Sequence, residues 1–143
     1  MVHEDCIFCK IVNGDLPSAT VYEDEHVYAF LDISQVTKGH TLVIPKTHTR
    51  NLYDTPPVVA RELFARVPII ANAIKKTYNP IGMNLLNNNE APAYQSVFHL
   101  HLHLLPKYKE GEGFTINWET QEDKYTSEHL QQIASEIHTN IDS

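Results

Sequence analysis

Residues 99–105 read His99-Leu100-His101-Leu102-His103-Leu104-Leu105, three histidines alternating with leucines, and Pro106 follows at once. In a β-strand successive side chains point to opposite faces. A strand here carries three imidazoles on one face, about 7 Å apart in series at a rise of ~3.4 Å per residue. Leu100, Leu102 and Leu104 fall on the other face, where they can dock on a core. Imidazole is a nucleophile, a general acid or base near neutral pH, and a metal ligand. Such a face points to a site.

The rest of the chain sets bounds on that site. At 143 residues it reads as one domain over 1–143, large enough to bury roughly 68–70% of its unfolded surface. No run of about 18 apolar residues predicts a membrane span. The N-terminus, Met1 to Asp5, is polar and acidic and lacks a basic region followed by an apolar stretch. No secretion signal is expected, and a cytoplasmic location is. The net charge of −7 argues against general binding to nucleic acid or anionic membranes. A small phosphorylated ligand stays compatible, because local N–H donors and imidazoles can hold it.

Two β-rich runs cover 20–23 and 26–33, joined at Asp24-Glu25. His40 to Ile44 reads as a third strand stopped by Pro45. Thr55-Pro56 reads as an N-cap followed by proline at the first helical position. Leu63, Val67, Ile70 and Ile74 then recur at helical spacing through Tyr78, with a kink expected at Pro68. Ile81–Asn88 and Val97–Leu105 give the fourth and fifth strands, separated by a polar loop. Residues 107–125 read as loop. Ser127 caps a last helix with Leu130, Ile133, Ala134 and Ile137 on one face. The order ββ-β-α-β-β-α predicts an α+β domain, an antiparallel five-stranded sheet packed with a long helix and a C-terminal helix.

The only cysteines, Cys6 and Cys9, are spaced Cys-x-x-Cys. A redox motif of that spacing opens a helix after a strand, and here no strand precedes it, so metal is favoured. Two cysteines leave a tetrahedral site two ligands short, and histidines are the natural candidates.

The segment Gln95-Ser96-Val97-Phe98-His99-Leu100-His101-Leu102-His103 resembles the signature of the histidine triad (HIT) superfamily of nucleotide hydrolases and transferases. Four further blocks fit in order: Asp5 to Ile11, Ala29 to Ile33, Gly39 to His48, and Asn88-Asn89. The match spans roughly residues 3–107, leaving 108–143 as an extension. The resemblance implies that His101 attacks the α-phosphorus of a nucleotide and forms a covalent nucleotidyl-histidine that water then hydrolyses. It implies that the carbonyl of His99 holds His101, that His103 contacts phosphate or assists the leaving group, and that His40 supports the developing charge. Protonated imidazoles and fixed donors would stabilise that charge.

Ser96, Gln95 and Asn88 would supply donors at the phosphate end, with Ser96 also able to donate a proton to a departing amine or oxygen. Asp32 would bind the ribose hydroxyls, and Ile7, Phe8, Ile11, Phe30 and Ile33 would form the base pocket. Some members of the superfamily bind zinc through residues that map to Cys6, Cys9, His48 and His99, which suits a closed structural site. His3, His26, His129 and His138 read as surface residues. The resemblance also implies a homodimer, with the 56–78 helix and a nearby strand at the interface.

Glu90 and Tyr94 stand where the family usually has glycine, and Gln35 and Lys38 where prolines are frequent. An acidic Glu90 near phosphates is expected to repel a long polyphosphate. The implied substrate is a purine nucleoside phosphoramidate or a dinucleoside polyphosphate, the serine at 96 favouring the former. Three other readings compete: a transferase or phosphorylase of the same family, a non-catalytic nucleotide-binding module, and a metallohydrolase with His99, His101 and His103 on one ion. Alternate strand residues are nearly parallel, so the last set converges poorly.

Overall fold

The structure is a computed structural model that describes residue 3 and residues 5–142. Five strands form one antiparallel sheet: β1 (Thr20–Glu23), β2 (Val27–Leu31), β3 (Thr41–Pro45), β4 (Gly82–Leu86) and β5 (Leu102–Lys107), in the order β1-β2-β3-β5-β4. The helices are α1 (Ile7–Val12), α2 (Pro57–Tyr78) and α3 (Ser127–Thr139). The α+β architecture is the expected one.

Alternation along the strands builds two different faces. Leu63, Val67, Ile70 and Ile74 of α2 pack on Val27, Ala29 and Val43 together with Leu100, Leu102 and Leu104. Each of the leucine, isoleucine and valine side chains contributes roughly 1.5–3 kcal/mol when fully buried. On the opposite face Tyr28, Phe30, Leu42 and Ile44 pack against Cys6, Phe8 and Cys9 of the α1 segment. Leu42 lies directly across from His103 in the register, so the histidine face is the α1 face.

The strand boundaries differ from the expectation at the place that matters most. β5 begins at Leu102 rather than Val97 and runs through Pro106 to Lys107. His103 alone of the triad lies in the ladder. The 97–101 segment leaves β3 because Pro45 has no N–H to offer and its carbonyl accepts from the His99 ring instead (2.8 Å). The N–H of Leu100 turns to the carbonyl of Thr49 (2.9 Å). The segment keeps its two-faced alternation while its backbone groups are released for other partners.

Other boundaries move less. β2 ends at Leu31, β3 includes Pro45, and β4 is shorter than 81–88. Pro56 occupies the cap of α2 and Pro57 its first position, one residue later than expected. Neither proline has an N–H for Thr55 to cap, so the Thr55 hydroxyl bonds the carbonyl of Asn51 (2.6 Å). The helix continues through Pro68. Sequence reasoning missed α1, whose N-cap is the Cys6 sulfur accepting from the N–H of Cys9 (3.2 Å). The C-terminal helix is present, capped by Thr126 rather than Ser127, but it buries no residue.

Candidate active site

The histidines divide into two groups at His99. Its ring is fully buried, with Nε2 directed at the Pro45 carbonyl. A carbonyl only accepts, so Nε2 carries the hydrogen and Nδ1 presents a lone pair. That Nδ1 lies 3.4 Å from Cys6 Sγ and 3.6 Å from Cys9 Sγ. Cys9 Sγ is also 3.3 Å from His48 Nδ1. All four donor atoms lie within 4.8 Å of one another.

Bonds of ~2.3 Å to sulfur and ~2.0–2.1 Å to nitrogen in a tetrahedron separate S and N ligands by roughly 3.5 Å. The donor set and its spacing therefore fit a closed zinc site. Burial pushes the Cys6 thiol up to about 11, a cost that a cation bound to the thiolate would offset. His3 is exposed, as expected of a surface residue, and its ring stacks on His48 with centroids 3.8 Å apart.

His101 belongs to the second group. Its Nδ1 donates to the carbonyl of His99 (2.7 Å), which leaves Nε2 as the unprotonated nitrogen. Phe8 meets the ring edge-on at 5.2 Å between centroids. The Asn87 amide donates to the carbonyl of His101 (3.0 Å) and holds the backbone there. Sequence reasoning missed Asn87, because nothing in Asn87-Asn88-Asn89 distinguishes one asparagine from the next.

His40 stands behind His103. The Val36 N–H donates to His40 Nδ1 (3.2 Å), so His40 Nε2 carries hydrogen and donates to His103 Nδ1 (2.9 Å). His103 is thereby set with its hydrogen on Nε2. Asp32 lies 3.6 Å from His40 Nε2. Burial lowers His101 and His40, and lowers His103 to about 4, with His101 and His40 adding to the last. The triad is therefore neutral near pH 7 in the free protein, whereas protonated imidazoles were expected. An anionic phosphate would raise these values on binding.

A cavity of about 510 Å³ opens beside this group. Its apolar wall includes Ile7, Phe8, Ile11, Phe30 and Ile33, and Asp32, Ser96, His101 and His103 are among its polar lining residues. A second cavity of about 410 Å³, lined by His48, Arg50 and Phe98 among others, meets it at Ile7, Ser96 and Val97. Asp32 and Ser96 are thus placed with the histidines, as the sequence suggested.

Gln95 and Asn88 are not placed there. Gln95 is buried and its amide is fully engaged. Oε1 accepts from Asn51 Nδ2 (3.1 Å) and the Glu90 N–H (2.8 Å), while Nε2 donates to the carbonyls of Arg50 (2.7 Å) and Val97 (3.1 Å). A side chain with all these partners brackets the loop and has no donor left for a phosphate. Asn88 Nδ2 reaches the carbonyl of Tyr94 (3.5 Å).

Glu90 also differs from expectation. Its carboxylate takes Arg50 Nε (2.9 Å), Arg50 Nη2 (3.0 Å) and Asn51 Nδ2 (2.5 Å), which hold it at about 2. The charge is matched by Arg50 and does not line the large cavity, so it does not repel phosphate in the way the sequence suggested. Glu90 and Tyr94 nonetheless adopt glycine-like backbone, with φ of 77° and 73°, so the loop keeps the shape that glycines would give it. Gln35, in a proline-frequent position, bonds the carbonyls of Asp32 (2.6 Å) and His40 (2.7 Å) and accepts from Gly39 (2.9 Å).

An antiparallel sheet that presents tautomer-fixed histidines at a cavity mouth is a histidine-triad architecture. The chain belongs to the HIT domain family, whose model matches residues 13–110. It is 60% identical over 134 residues to protein hit of Bacillus subtilis, covering 94% of this chain and 92% of that one. It is 39% identical over 133 residues to an adenosine 5'-monophosphoramidase of Saccharomyces cerevisiae, covering 90% and 81%. The crystal structure of a HIT family member from Bacillus subtilis superposes with a TM-score of 0.95 at 58% identity, covering 98% of this chain and 99% of that one. A Zn-bound histidine triad family protein from Mycobacterium smegmatis superposes with a TM-score of 0.73 at 38% identity, covering 92% and 97%.

Proposed function

We propose that this chain is a nucleotide hydrolase that cleaves at an α-phosphate through a covalent nucleotidyl-His101. The observation that carries the proposal is the Nδ1–H bond from His101 to the carbonyl of His99 (2.7 Å). It fixes the tautomer with a bare Nε2, and burial keeps that nitrogen unprotonated near pH 7. A nucleophile needs both conditions.

The base, a purine by the family resemblance, lies against Ile7, Phe8, Ile11, Phe30 and Ile33, and the Asp32 carboxylate accepts from the ribose hydroxyls. His101 Nε2 forms a bond to phosphorus as the bond to the leaving nitrogen or oxygen breaks. His103, protonated when the bound anionic phosphate raises it, supplies the proton that the leaving atom takes, with the Ser96 hydroxyl hydrogen-bonded to that atom. Water then adds to phosphorus and returns a proton to His103, the P–N bond breaks back to His101, and the nucleoside monophosphate leaves. His40 acts behind His103 by fixing its tautomer. The yeast relative's name, and the position of Ser96 on the rim shared by the two cavities, favour a purine nucleoside phosphoramidate over a dinucleoside polyphosphate.

Cys6, Cys9, His48 and His99 would hold a structural zinc ion, tying α1 to the end of β3 and to the segment that carries His101. The zinc-bound mycobacterial neighbour supports this reading. Four protein ligands leave no open position for water, so the chemistry falls to the imidazoles. The test is a panel of adenosine and guanosine phosphoramidates and dinucleoside polyphosphates followed by ³¹P NMR. Release of nucleoside monophosphate by the wild type and not by His101→Ala is expected. No turnover across the panel would remove the hydrolase reading in favour of a binding module.

A further inference from the structure

Between β2 and β3 the chain turns over residues 32–40 and delivers His40 to the site. One side of this turn is tied within itself, through the Gln35 amide and the backbones of Asp32, Gly39 and His40. The other side leans on the chain that leaves β5. The Thr37 hydroxyl donates to the carbonyl of Pro106, and the Tyr108 hydroxyl donates to the carbonyl of Lys38 (2.6 Å). Beyond Tyr108 the chain doubles back. The Glu112 carboxylate accepts from the N–H groups of Tyr108 (3.0 Å) and Lys109 (3.2 Å), and Lys107 Nζ donates to the carbonyl of Phe114 (2.5 Å). This fold-back sets Gly113 against Val36 and Thr37.

Gly113 has a φ of 63° and no room for a side chain. A Cβ there would lie 2.7 Å from Thr37 Cγ2, 3.0 Å from Val36 Cγ1 and 3.2 Å from the Val36 carbonyl oxygen. Thr37 cannot swing clear, because it is buried and its hydroxyl is held at Pro106. The extra atom would therefore displace the Val36-Thr37 backbone. The Val36 N–H donates to His40 Nδ1 (3.2 Å), and that bond directs the His40 Nε2–H to His103 (2.9 Å). At 3.2 Å it already sits at the long end of the N–H range, so a shift of a few tenths of an ångström breaks it. We propose that Gly113 is a positioning residue for the histidines: the 107–114 segment holds the Val36 N–H on His40 and so aims the His40–His103 pair. The catalytic consequence rests on the hydrolase reading above, whereas the setting of His40 in the free protein does not. Gly111 provides a control, because its φ is 75° with nothing within 4 Å of a Cβ. Alanine strains the backbone at both positions, but only at 113 does it meet Val36 and Thr37.

The test is ¹⁵N NMR of the full-length protein near neutral pH, reading the His40 ring shifts and the ¹⁵N–¹⁵N coupling across the His40–His103 hydrogen bond. Gly113→Ala should lose the coupling and shift His40 Nδ1, whereas Gly111→Ala should keep both as in the wild type. Adding Val36→Ala and Thr37→Ser removes the two obstructing methyl groups and keeps the N–H at 36 and the hydroxyl at 37. That triple variant should recover both signals. With an adenosine phosphoramidate, kcat of Gly113→Ala should fall roughly tenfold, within the ~100-fold that an ångström of misplacement can cost. KM should change less than about twofold, and the triple variant should regain kcat. Tyr108→Phe adds no atom and removes only the bond to Lys38, so it should shift His40 Nδ1 in the same direction by less; it decides the matter if Gly113→Ala does not fold. Unchanged His40 signals in Gly113→Ala or in Tyr108→Phe, equal effects at 111 and 113, or no recovery in the triple variant would each overturn the proposal. Absence of turnover in every protein would remove the hydrolase reading and leave the NMR outcome to decide this one.

Discussion

His103→Asn offers a quantitative test of the buried, neutral triad. Asparagine keeps an acceptor for the His40 Nε2–H and removes the titrating group. In the folded chain burial holds His103 at about 4, against roughly 6.5 in an unfolded chain. The folded value is depressed, so the unfolded state binds the proton first as pH falls. Stability from this group is fully present above about pH 6.5 and is lost progressively toward pH 4. Between pH 7.5 and pH 5 the two values give a loss of about 2 kcal/mol from His103 alone. Urea unfolding at the two pH values should therefore show the variant losing about 2 kcal/mol less than the wild type. His40, His99 and His101 are lowered as well, and they and any bound metal are common to both proteins and largely cancel in the difference. Identical pH dependence in wild type and variant would mean that His103 is not held neutral by its surroundings.

Three further outcomes follow from the site. Cys9→Ser should reduce bound zinc, measured by mass spectrometry of the metal, from about one ion per chain to near none, and should lower the melting temperature of zinc-loaded protein. Asn87→Ala should cost about 1 kcal/mol of support for the His101 carbonyl, read as a roughly fivefold fall in kcat with little change in KM. Because burial lowers His101, the acid limb of kcat/KM should lie below pH 6.5, and a limb at or above 6.5 would contradict an unprotonated, buried nucleophile.

The parts of this molecule that obey a local period were legible in the sequence. Leu100, Leu102 and Leu104 do reach the α2 core, and His101 and His103 do face the cavity, because alternation survives even where the ladder does not. The start of β5 was not legible. It depends on the Pro45 carbonyl accepting from a ring 54 positions away, a non-local bond that no strand propensity encodes. Gln95 was misassigned for the same reason, since its partners Arg50 and Asn51 come from the segment after β3. α1 is six residues long, too short for helical periodicity to register. The apolar face of α3 was visible in the sequence, but amphipathicity says only that a face needs cover, not which chain supplies it.

The covalent step is the most direct point of attack. Wild-type protein mixed with an adenosine phosphoramidate and quenched in base within milliseconds should show, by intact mass, an added adenylyl group. Digestion under basic conditions should place that group on His101, and brief acid should remove it. His101→Ala, still folded by circular dichroism, should show no adduct. Turnover by the wild type without any adduct, or an adduct that persists in His101→Ala, would contradict the account.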